Sequence, residues 1–132
     1  MDRRKNRQKG FTLIEIIAVL IILGILAAVA VPKFMGLQEE AKKKAAQNLV
    51  ATAQSALSMN YAKYLLQKNG DADEAWTALK DNATTICDEE ISKDDGYSDY
   101  DISCTGNANY IEIKVTTPDN TDVYGNFTKP NS

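Results

Sequence analysis

The chain has 132 residues, room for one small domain and one extended element. It holds no His, which removes the commonest general base and metal ligand, and its two cysteines, Cys87 and Cys104, fit neither a zinc pattern nor a Cys-x-x-Cys redox motif. Residues 1–10 carry Arg3, Arg4, Lys5, Arg7 and Lys9 against Asp2, a net of +4, whereas the rest of the chain is net −7; an acidic body argues against direct nucleic-acid binding, and a basic head suits the cytoplasmic flank of a membrane span.

Phe11–Val31 follows as a run of 21 residues interrupted by Thr12, Glu15 and Gly24. As a helix it would reach about 31 Å, close to a hydrocarbon core of roughly 30 Å. A plain anchor accounts for the hydrophobicity. A secretory signal peptide is the other ordinary reading, with Ala27–Ala30 in the place of its small-residue cleavage site. Neither accounts for Glu15, whose carboxylate would cost at least ~2.5 kcal/mol near the centre of a span and less near an interface. Glu15 either lies near the membrane surface and reaches water, or meets a positive charge at its own depth. A free α-amino group at Phe11, released by cleavage after Gly10, would supply that charge. In a polymer the amine could belong to a neighbouring subunit.

Lys9-Gly10-Phe11-Thr12-Leu13-Ile14-Glu15, the apolar run and Pro32 together resemble the N-terminal signature of type IV pilins and pseudopilins. The resemblance covers residues 5 to about 37. It implies cleavage between Gly10 and Phe11 by a prepilin peptidase, methylation of the Phe11 amine, and pairing of Glu15 with the Phe11 amine of an adjacent subunit. It further implies an inner-membrane precursor with a cytoplasmic leader and a periplasmic head, assembled by a platform and ATPase machinery into a homopolymer, with no cofactor. Pro32-Lys33-Phe34, Leu37-Gln38, Ala41, Ala45-Ala46 and Ala56-Leu57 also resemble pilins of the mannose-sensitive haemagglutinin type.

The helical pattern continues to Lys68. Phe34, Leu37, Ala41, Ala45, Leu49, Ala53 and Ala56 recur at three- and four-residue spacing as an apolar stripe. Glu39–Lys43 and Glu40–Lys44 are i,i+4 pairs in the favourable order. Asn69-Gly70 is a C-cap signal. Gly24 and Pro32 weaken the helix, since Pro32 donates no hydrogen bond and crowds the Ala28 carbonyl. A simple kink is one consequence. The resemblance implies another, unwinding of the stretch between them on assembly.

In the remaining residues, 73–82 predict a short helix with Ala75, Trp76 and Leu79 inward. Tyr110–Thr116 alternates with period two as a half-buried strand. Thr117-Pro118-Asp119-Asn120 is a turn, residues 122–128 a return strand, and Tyr100–Cys104 a further partner. This head cannot bury a large core. A Cys87–Cys104 disulfide would close a loop of about 17 residues and contribute roughly 3 kcal/mol in the chain-entropy model, in an oxidising compartment. Many pilins carry one such bond; two buried free thiols are the alternative. Asp88, Glu89, Glu90, Asp94, Asp95, Asp99 and Asp101 crowd the stretch between the cysteines and its far end. They read as a solvated acidic loop, with Asp94, Asp95, Asp99 and Asp101 as weak calcium candidates off the EF-hand spacing.

No Gly-x-Ser-x-Gly, Walker loop or dinucleotide fingerprint occurs, which sets catalysis aside. The expected fold is α+β, a long N-terminal helix under a small antiparallel sheet. Its parts are the leader (1–10), a transmembrane and assembly helix (11–32), an amphipathic helical half (33–69) and a head (70–132). Two functions fit: the subunit of a type IV pilus for adhesion, motility or DNA uptake, and a pseudopilin of a type II secretion system. The cysteine pair and the lack of a Tyr- and Gly-rich stretch after the long helix favour the first.

Overall fold

The computed structural model describes residues 10–91 and 97–130. The leader up to residue 9, and Asp94 and Asp95, lie outside the described residues. The chain divides into two compact units, residues 1–38 and 39–132.

Helix α1 spans Leu13–Gln67, with Pro32 inside it. In the first unit all residues from Gly10 to Gln38 are exposed, including every large apolar side chain. The helix is long and apolar enough to cross a membrane, and none of its apolar window is buried in the protein. Gly24 and Pro32, expected to interrupt the helix, do not end it. Loss of one donor at Pro32 leaves the flanking hydrogen bonds to carry the turn.

In the second unit α1 buries Ala46, Leu49, Val50, Ala53, Leu57 and Tyr61. The expected stripe holds at Leu49 and Ala53, which are buried, and at Ala45 and Ala56, which are half-buried, but fails at its start. Phe34 and Leu37 are more than 60% exposed, and Ala41 is exposed too. Helical spacing alone identifies an apolar face; which part of it meets the sheet depends on where the sheet lies. The helix ends at the predicted signal. Asn69 (φ 54°) and Gly70 (φ 87°) adopt the left-handed conformation, and the Gly70 N–H donates to the Leu65 carbonyl at 2.8 Å.

Helix α2 spans Ala72–Asp81. Asp71 caps it, its Oδ1 accepting from the Asp73 and Glu74 amides. Ala75, Trp76 and Leu79 face inward, as expected. Helix α3, Ala83–Glu90, was not anticipated. It buries Ala83, Ile86 and Cys87, and its last turn is formed by Asp88, Glu89 and Glu90, which the sequence had assigned to an acidic loop. Three consecutive acids at a helix C-terminus oppose the macrodipole, so local propensity gives little sign of this helix. Packing of Ile86 and Cys87 decides it.

Strands β1 (Asp101–Gly106), β2 (Tyr110–Thr116) and β3 (Asp122–Thr128) form an antiparallel sheet in the order β1-β2-β3. The β2 and β3 limits match the expectation; β1 starts one residue later and runs two further. Ile102, Cys104, Ile111, Ile113 and Val115 point inward and join the buried face of α1 with Trp76, Leu79 and Ile91 in one core. The arrangement is α+β, with a small antiparallel sheet on the helix.

Candidate assembly site

The N-terminal signature opens as a helix start. Thr12 precedes α1, and its backbone N–H donates to Glu15 Oε2 at 2.8 Å. In return the Glu15 N–H approaches Thr12 Oγ1 at 3.4 Å. This is a reciprocal capping box, and it satisfies orphan amides at the helix end. From sequence, Glu15 is expected as a membrane carboxylate that pairs with the Phe11 amine; capping its own helix is a second, local role. The Thr-x-x-Glu spacing was the signal that could have shown its second role.

Glu15 also sits in the first turn, where the helix dipole favours a negative charge. Phe11, 85% exposed, lies one residue before the cap. Gly10 has nothing within 4 Å of where a Cβ would stand. Cleavage after Gly10 would leave the new amine close in sequence to a carboxylate already engaged by its own helix. Gly24 and Pro32 lie farther along the same exposed surface.

The head contributes rigidity. Cys87 on α3 and Cys104 on β1 are bonded, with Cα atoms 6.1 Å apart and both residues buried. The free-thiol alternative falls. Thr84 donates to the Cys104 carbonyl at 3.0 Å and fastens the same junction. The Trp76 indole N–H donates to the Ala108 carbonyl at 2.9 Å, and its ring stacks on Phe127 at 6.3 Å.

Surface ion pairs finish the head. Lys129 bonds Asp73 and holds its carboxyl below the usual aspartate range. The Thr116 hydroxyl, followed by Lys114, lowers Asp122, and Asp122 raises Lys114. Lys42 pairs with Asp119 at 3.3 Å, tying the β2–β3 turn to α1. Asp99 and Asp101 are exposed, and among the described residues no three acidic, Cys or His side chains gather as metal ligands.

Residues 5–31 match the family model described as the prokaryotic N-terminal methylation motif. Type II secretion system core protein G of Pectobacterium carotovorum is 32% identical over 125 residues, covering 86% of this chain and 78% of that protein. The chain belongs to the pilin and pseudopilin family. Core protein G of Aeromonas hydrophila is 35% identical over 71% of the chain, a match spanning 64% of that protein. The type IV narrow pilus major component PilA5 of Thermus thermophilus is 37% identical over 61% of the chain and 78% of its own length. No solved structure matches. These pilin-family relatives include both secretion and pilus components, so they support the pilus and pseudopilus readings equally.

Proposed function

We propose that the chain is the structural subunit of a type IV pilus, made as an inner-membrane precursor and polymerised after processing. In this reading residues 1–10 are a cytoplasmic leader removed by a prepilin peptidase, and Phe11 becomes the N-methylated first residue. Residues 11–32 serve the membrane and then the filament core, while the head (70–132) stays outside the cytoplasm, carried on the helical stretch 33–69. Assembly partners are other copies of the chain and the platform and ATPase machinery that extracts it. The carrying observation is the Gly10-Phe11 sequence just before a capped helix whose apolar stretch up to Gln38 is exposed throughout, with Glu15 in its first turn.

The physical logic is charge pairing. A carboxylate and an amine taken out of water are each costly, and together tolerable. Glu15 against the Phe11 amine of the next subunit then sets register more than it adds stability. Transfer from the capping box to that amine accompanies assembly, with the stretch between Gly24 and Pro32 supplying the compliance.

The core protein G relatives favour a second reading, a short pseudopilus inside the envelope of a type II secretion system. Mass spectrometry of filaments sheared from cells separates the two. Abundant peptide beginning at N-methylated Phe11 is the expected result for a pilus. The same processed terminus confined to the membrane fraction assigns the pseudopilus. An unprocessed N-terminus in both fractions overturns both.

A further inference from the structure

Asn69-Gly70, the turn that ends α1, is the sole Asn-Gly pair in the chain. Both residues are exposed, and nothing lies within 4 Å of where a Gly70 Cβ would stand. An asparagine carboxamide is a weak electrophile that its own chain can attack. The backbone nitrogen of the next residue reaches Cγ and closes a five-membered ring. A side chain on that next residue obstructs the approach, and glycine has none.

Two features of the fold act on this pair in opposite senses. Exposure leaves the Asn69 carboxamide open to water and base. The Gly70 N–H, however, donates to the Leu65 carbonyl at 2.8 Å, and the Asp71 N–H to the Lys68 carbonyl at 3.0 Å, so the attacking nitrogen is committed to the helix cap. Asn120 supplies an internal comparison. It shares the left-handed backbone of Asn69 (φ 59° against 54°), but Thr121 follows it, β-branched and donating its N–H to Thr117 Oγ1 at 3.1 Å.

We infer that Asn69 is a self-modification site, converted through a cyclic imide to aspartate and isoaspartate at a rate set by opening of the α1 cap. When the cap opens, the Gly70 nitrogen loses its proton to solvent base and attacks Asn69 Cγ. The N–Cγ bond forms, the Cγ–Nδ2 bond breaks, and Nδ2 leaves as ammonia, taking a proton from water. A second water opens the imide at either carbonyl, giving aspartate or isoaspartate; no oxidant, metal or enzyme is required. Either product places a carboxylate at the C-terminus of α1, where the helix dipole opposes it. Isoaspartate also lengthens the backbone by one methylene, so Gly70 no longer meets Leu65 in register. The joint between α1 and α2 is therefore looser in aged chains than in new ones.

The test is incubation of the full-length protein in detergent in warm, mildly alkaline buffer. Peptide mapping by mass spectrometry follows the exchange of amide for acid, and an isoaspartyl methyltransferase with labelled S-adenosylmethionine counts isoaspartate. Conversion at Asn69 with Asn120 intact is the expected result, roughly tenfold slower in the folded chain than in the chain unfolded by guanidinium chloride and reductant. Asn69→Gln should abolish the isoaspartate signal. Either of two results overturns the inference: Asn69 intact in the folded chain after the unfolded chain has fully converted, or equal rates in the two, which would remove the cap as the gate.

Discussion

Gly125 on β3 lies against Val50 on α1, so closely that a Cβ built on the glycine would stand 2.2 Å from Val50 Cγ1. The strand runs within reach of the helix here, and Gln54 Nε2 donates to the adjacent Asn126 carbonyl at 3.0 Å. Only the absence of a side chain permits that approach.

Gly125→Ala should therefore destabilise the head by about 1–3 kcal/mol through overpacking. Circular-dichroism melts of the full chain in detergent measure it. The collision is with one methyl of a stiff β-branched side chain. Val50→Ala in the same chain should recover part of the loss, and an unchanged melting temperature for Gly125→Ala alone would contradict the close contact.

Reducing Cys87–Cys104 should cost the head roughly 3 kcal/mol in the chain-entropy model, given a sequence separation of 17. Both sulfurs are buried, so reduction by dithiothreitol should be slow in the folded protein and fast once it is partly unfolded. Melting with and without reductant, together with a Cys87→Ser/Cys104→Ser chain, reads the effect.

The exposed ion pairs predict the shape of stability against pH. Asp73 and Asp122 titrate below the ordinary aspartate value, so their contributions are complete above about pH 4 and are lost as pH falls through the lowered values. Lys114 titrates above the ordinary lysine value, so its contribution is complete below about pH 10 and is lost as pH rises through the raised one. Stability should be flat between these limits. Asp122→Asn should soften both flanks of the melting-temperature profile and Asp73→Asn only the acid flank, each less so at high salt.

Glu15 has a local role and a proposed intermolecular one, and a conservative substitution separates them. Glu15→Gln retains an acceptor for the Thr12 amide, so α1 should begin at the same place, but it removes the charge. The expected outcome is normal cleavage after Gly10 with filament yield strongly reduced. Gly10→Ser should block cleavage itself, leaving the leader attached. Wild-type filaments from Glu15→Gln would remove the charge-pairing argument, whereas failure of cleavage would place Glu15 in peptidase recognition. Immunoblots of sheared and membrane fractions distinguish these results.

Much of this protein was legible in the sequence because the signals were local. The apolar run follows from composition, and the Asn69-Gly70 stop and the two strands around Pro118-Asp119 follow from turn chemistry. Helix α3 was not legible, because Asp88, Glu89 and Glu90 disfavour a helix end and the helix forms around buried Ile86 and Cys87. The burial of Ala46 and Val50 instead of Phe34 and Leu37 was not legible either. Period 3.6 marks an apolar face, but only the position of the sheet selects which turns it covers. The sequence alone determined where α1 ends and where β2 and β3 begin and end, since caps, turns and periodicity act within a few residues. The tertiary structure decided which surfaces of α1 are covered by the head and which, around Met59 and Leu66, stay open, because that depends on contacts between residues distant along the chain.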